Sequence, residues 1–189
     1  MKKAFITLLL MCGTTNAIAQ KTQSFEAEGN LESSNPLGCV DISEVTNEHS
    51  PADILHGMGE CLKIKKYEKA AKLFAIAGVY GTYDSYRVED RSAHQALLVL
   101  QRNVILNTDE SAQNGLMNNL KTQLESGSEN LNTICQSIRE IGIPNYYPKY
   151  MIQHGIQAFT KNEWDGLKAD FDSEASWKLA LESYLHCTE

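Results

Sequence analysis

Two short stretches hold most of the side chains that could do chemistry. The first is Tyr83-Asp84-Ser85-Tyr86-Arg87-Val88-Glu89-Asp90-Arg91-Ser92-Ala93-His94. Its carboxylates and histidine are the groups a general acid–base site needs. The same residues also suit a loop held by Asp–Arg pairs, with Asp90 capping the helix that follows; exposed pairs of this kind contribute little individually. Tyr83, Tyr86, Arg87 and Arg91 are, in addition, the residue types that anchor protein interfaces. The second stretch is Asn145-Tyr146-Tyr147-Pro148-Lys149-Tyr150-Met151-Ile152-Gln153-His154-Gly155. His154 follows Tyr150 by four residues and shares a helix face with it. It is either a ligand or base, or a hydrogen-bonded packing residue. Gly155, if helical, costs about 1 kcal/mol relative to Ala, which predicts a close approach by a neighbouring element. Together these stretches name Tyr83, Asp84, Tyr86, Arg87, Asp90, Arg91, His94, Tyr146, Tyr147 and His154 as candidate binding residues.

Other signatures fail on spacing. There is no Gly-x-Ser-x-Gly elbow and no Cys-x-x-Cys-His haem site. Gly57-Met58-Gly59 lacks the lysine and the preceding strand of a phosphate loop. The histidines (His49, His56, His94, His154 and His186) lack zinc-finger spacing, and no Cys-x-x-Cys pair accompanies them. No catalytic residue is assigned, and neither metal nor cofactor is expected.

The elements that must position these stretches begin after an address. Lys2 and Lys3, the apolar run Ala4 to Met11 and the small-x-small site Ala17-Ile18-Ala19 have the three parts of a cleavable signal peptide. The run is too short to span a bilayer, which needs about 20 residues. Leu9-Leu10-Met11-Cys12 lies where a lipobox would, but the residue before a lipidated cysteine should be small. Met11 is large, which favours cleavage after Ala19 and a periplasmic destination. Cleavage takes two lysines from the 17 cations and leaves 15 against 24 acids, a net charge of -9. Nucleic acid and anionic membranes are poor partners for that balance.

Export decides the cysteine chemistry. Cys39, Cys61, Cys135 and Cys187 remain, an even number that predicts two disulfides in an oxidising compartment. Three connectivities are open; sequential pairing would close loops of about 22 and 52 residues, each contributing about 3–4 kcal/mol.

The remaining chain has 42% apolar and 22% charged residues and shows no sustained period-two alternation. Residues 20–49 form a polar, irregular arm expected to order near Cys39, and residues 50–189 a helical domain. Ser50-Pro51-Ala52-Asp53 opens a helix over about 51–65, and Tyr67, Ala70, Ala71, Phe74 and Ala77 mark a second that ends near Gly78–Gly81. Further helices follow from Asp90, from Thr108 or Asp109, after Gly127, from Pro148 through Phe159, and over about Ser173 to His186. The predicted fold is all-α, with about seven helices packed as helical hairpins around one core, an irregular N-terminal arm and two disulfides.

Gly59 to Gly78, with Tyr67, Ala70, Phe74 and Ala77 at their spacing, resembles a tetratricopeptide-type helical hairpin. The resemblance covers about a tenth of the chain; no second copy recurs at a 34-residue period and no proline follows the second helix. It implies a helical scaffold and protein binding. The predicted function is therefore an exported, non-enzymatic helical protein that binds another, basic protein in the periplasm, with an immunity or inhibitor protein against a toxin or hydrolase as its concrete form. The alternative is a small periplasmic hydrolase or lyase using Asp84, Asp90 and His94.

Overall fold

A computed structural model describes residues 26–160 and 164–187. The proposed signal peptide, residues 1–19, lies outside the described residues.

Among the described residues seven α-helices form in chain order: α1 (Pro51–Lys63), α2 (Tyr67–Arg87), α3 (Ala96–Leu106), α4 (Glu110–Gln123), α5 (Glu129–Ile141), α6 (Lys149–Ile152) and α7 (Ser173–Leu185). Among the described residues there are no strands, only an isolated antiparallel bridge between Val88 and Leu167. The fold is all-α, as the periodicity predicted.

Local chemistry sets most helix starts. The Ser50 hydroxyl accepts from the Asp53 N–H, and the Asp53 carboxylate accepts in return from the Ser50 N–H at 2.8 Å, a reciprocal cap with Pro51 in the first turn. The Asp109, Ser128 and Asp172 side chains cap α4, α5 and α7 by accepting from the N–H three residues on. Gly142, at φ 91°, ends α5 where a side chain would be strained.

The long helix α2 is the axis of the molecule. It packs against α1 as an antiparallel hairpin, against α4 and against α7. Leu73, Ile76, Val79 and Tyr80 on it are fully buried. The predicted stop near Gly78–Gly81 is corrected: α2 runs on to Arg87. The two glycines mark close approaches rather than an end. A Cβ on Gly78 would lie 2.0 Å from the Tyr184 ring, and one on Gly81 2.7 Å from the Leu97 side chain. Half of the supposed 83–94 loop is thereby helical, which sets Asp84 and Arg87 one turn apart.

A second correction concerns residues 148–159. The predicted helix breaks into the short α6 and a 3-10 turn at Ile156–Phe159. Gly155 between them is extended, not helical. The close approach it signalled is real, since a Cβ there would stand 2.3 Å from an Asp90 carboxylate oxygen. The Ile156 and Gln157 N–H groups donate to Ser92 Oγ and Asp90 Oδ2, so they need no helix to be satisfied.

The arm docks earlier than expected. The Leu31 N–H donates to the Tyr150 carbonyl at 3.0 Å, and Ser33 Oγ and the Asn35 N–H donate to Asp53 Oδ1 at 2.6 and 2.7 Å. The disulfides pair sequentially. Cys39–Cys61 ties the arm to α1, and Cys135–Cys187 ties α5 to the chain end, with Cα separations of 4.6 and 5.8 Å. Among the described residues no helix is long and apolar enough to cross a membrane.

Candidate functional site

The two chemistry-bearing stretches, separate in sequence, meet in space. The last turns of α2 present Tyr80, Tyr83, Asp84 and Arg87 inward. The turn before α6, fixed as non-helical by Pro148, brings Tyr146 against them, and α6 itself brings Tyr150.

Asp84 is the hub and is fully buried. Its Oδ2 accepts hydrogen bonds from the Tyr146 and Tyr150 hydroxyls at 2.9 and 2.8 Å. Its Oδ1 accepts from Arg87 Nε at 2.8 Å and lies 2.7 Å from Arg87 Nη2. The guanidinium is flanked by the rings of Tyr83 and Tyr146, 5.2 and 5.0 Å from their centroids. This is cation–π geometry in a desolvated setting. Burial pushes the Asp84 carboxyl upward while Arg87 and the two phenols oppose it. For Arg87, burial works against the charge, but Asp84 together with Tyr146 and Tyr83 outweighs it and raises the guanidinium's pKa. Burial, reinforced by the neighbouring carboxylate, drives Tyr146 and Tyr150 well above the usual phenol range, so both remain donors. Every strong acceptor on Asp84 is therefore occupied by the chain itself.

The other predicted residues are engaged similarly. Asp90, buried, caps the turn at Arg91–Gln95 through the Ser92 N–H and also accepts from Ser92 Oγ and the Gln157 N–H. Those bonds outweigh the effect of burial and hold its carboxyl below the ordinary range. His94 Nε2 donates to the Val88 carbonyl at 3.0 Å. His154 Nδ1 pairs with Asn30 Oδ1 at 2.8 Å, and burial lowers its pKa, which favours the neutral ring. The Tyr83 and Tyr86 hydroxyls reach Ser173 and Ser183 of α7 at 2.9 and 3.0 Å. Arg91 is exposed, and Tyr147 keeps 51% of its surface exposed while its hydroxyl donates to the Asp165 carbonyl.

Beside this network, and sharing Tyr146 and Tyr150 with it, the arm, the start of α1 and residues 146–150 enclose a cleft of about 380 Å³. Glu32, Ser33, Ser34, Glu48, Asp53, Tyr146, Tyr147, Lys149 and Tyr150 line it, and Asp84, Asp90 and His94 do not. Tyrosine rings beside carboxylates are suited to a cationic side chain. Among the described residues, no three His, Cys, Asp or Glu side chains converge as a metal-binding group.

No known family model, characterised protein or solved structure matches this chain.

Asp53 is the functional-site residue that sequence reasoning missed. Its capping role was legible three residues after Ser50, but its other oxygen gathers Ser33 and Asn35 from the arm. No periodicity announces that contact. The aromatic backing of the site by Trp177, 5.8 Å from Tyr80 and 6.1 Å from Tyr83 between ring centroids, was equally silent.

Proposed function

We propose that the chain is exported to the periplasm, losing residues 1–19, and there binds another protein without catalysing a reaction, as an immunity or inhibitor protein does. The observation that carries this reading is the cleft walled by Tyr146, Tyr147 and Tyr150 with Glu32, Glu48 and Asp53. Its aromatic wall is held from behind by a buried hydrogen-bond network and from the side by the docked arm. A rigid, preorganised surface loses little entropy on association, and its two exposed carboxylates, Glu32 and Glu48, outnumber Lys149 and favour a basic segment of the partner. The two disulfides fit an oxidising compartment. In this reading the α1–α2 hairpin, tetratricopeptide-like over residues 59–78, serves as scaffold.

The test is a pull-down from the native host with the tagged protein in its disulfide-bonded form, followed by titration of any stoichiometric prey. Tyr147→Ala combined with Glu48→Gln alters two exposed residues and should weaken binding at least tenfold while the melting temperature holds. Absence of any partner tighter than micromolar would sink the reading.

A further inference from the structure

The turn between α1 and α2 inverts the charge of the molecule. Residues 63–72 hold five lysines and one acid, in a chain of net charge -7. Lys65, Lys66, Lys69 and Lys72 line a cavity of about 430 Å³ there, together with Tyr67 and with Asn119 of α4. Two acids also line it, and each is taken up by one lysine: Asp41 by Lys69 at 2.8 Å and Glu68 by Lys72 at 2.6 Å. Lys65 and Lys66 are exposed and have no ion-pair partner among the described residues. Two uncompensated cations remain at the cavity.

Two further features supply donors. Tyr67 lines the cavity, and its buried hydroxyl has no hydrogen-bond partner among the described residues. The ring packs over Gly115 of α4, where a Cβ would lie 2.5 Å from it, so the hydroxyl cannot swing out to bulk water without breaking that packing. A buried donor left unsatisfied costs about 1–3 kcal/mol, which a ligand oxygen would relieve. Lys66 holds the cap position of α2 and its side chain accepts no hydrogen bond, so no cap satisfies the first-turn N–H groups of this 21-residue helix. Such groups, with the helix dipole behind them, favour an oxyanion. A lysine ammonium serves a phosphate as a point charge. A phosphate group also has oxygens enough for ammonium, phenol and N–H donors at once, where a carboxylate has only two.

We propose that this cavity binds a phosphate group, neutralised by Lys65 and Lys66, with the Tyr67 hydroxyl and the first-turn N–H groups of α2 donating to its oxygens. The test uses the full, disulfide-bonded protein, labelled with nitrogen-15 and titrated with inorganic phosphate or with chloride at constant ionic strength. Saturable shifts of the Tyr67, Glu68 and Lys69 amide signals are expected with phosphate and not with chloride. Lys65→Gln with Lys66→Gln changes two exposed residues that make no ion pair, and should raise the dissociation constant roughly three- to tenfold at an unchanged melting temperature. Tyr67→Phe should raise it about threefold while the melting temperature holds or rises, because the lost hydroxyl had no partner to lose. Flotation with vesicles then separates the two sources of such a group. Retention on phosphatidylglycerol but not on phosphatidylcholine, weakened by the same lysine changes, assigns a lipid headgroup; saturable phosphate shifts without retention assign a soluble phosphate. Non-saturable shifts, equal shifts with chloride, tighter binding of hexaglutamate than of phosphate, or indifference to the lysine pair or to Tyr67→Phe would each overturn the proposal.

Discussion

The buried Asp84–Arg87 pair makes the sharpest prediction about stability. Asp84→Asn preserves volume but removes the charge and points an amide donor at a site already crowded with donors. Arg87, itself 9% exposed and clasped between two tyrosine rings, keeps its charge with no counter-ion. Breaking one partner of a buried pair costs about 3–5 kcal/mol, because the remaining charge is neither solvated nor compensated. For a chain of this length that corresponds to a fall of about 6–20 °C in melting temperature. Arg87→Met on the same background removes the stranded cation. The double variant should therefore be at least about 2 kcal/mol more stable than the two single losses sum to, a coupling typical of contacting groups. The assay is urea unfolding of four proteins with disulfides intact, followed by circular dichroism. A loss below about 1 kcal/mol for Asp84→Asn, or strict additivity in the double variant, would refute the view that this cluster holds the site from within.

Three further outcomes are expected. Hydrogen bonds from Ser33, Ser50 and two backbone N–H groups outweigh burial and hold the Asp53 carboxyl below its ordinary value. The unfolded chain therefore takes up this proton first as pH falls. The stabilisation is complete above about pH 5 and drains away as pH drops through about 4 and below, so the melting-temperature gap between the protein and Asp53→Asn should be wide at neutral pH and narrow in acid. Gly78→Ala must push the Tyr184 ring aside, since the new Cβ would meet it at 2.0 Å; a loss of about 1–3 kcal/mol in thermal unfolding is expected. Replacing Cys135 and Cys187 by serine frees a 52-residue span and should cost about 4 kcal/mol, against about 3 for the 22-residue span of Cys39–Cys61, in chemical denaturation.

How much of this was legible in the chain follows from the range of each interaction. Helix starts were, because Ser50, Asp109 and Asp172 act on N–H groups within three residues. The class of fold was, because it is written in periodicity. The end of α2 was misplaced because glycine carries two meanings, chain freedom and absence of a side chain. At Gly78 and Gly81 the second applies, and its causes, Tyr184 and Leu97, lie on other helices. The residues of the site were picked out by type, yet their arrangement was hidden: Tyr146 and Tyr150 reach Asp84 across 62 and 66 residues of sequence. The choice among three disulfide pairings was hidden for the same reason.

The place of α7 has a consequence for the order in which the molecule can be completed. A ribosome delivers α2 roughly a hundred residues before the helix that covers it. Until Tyr184 arrives over Gly78, and until Tyr146 and Tyr150 arrive over Asp84, the middle of α2 carries a bare apolar face and a carboxylate with only Arg87 for company. The α1–α2 hairpin can form early from local contacts, but it remains a half-built interior. A chain stopped short of Trp177 leaves it open, with the apolar surface that draws aggregation or chaperones. Cys187, two residues beyond α7, ties that helix to α5, so this disulfide can close only once both helices have been made.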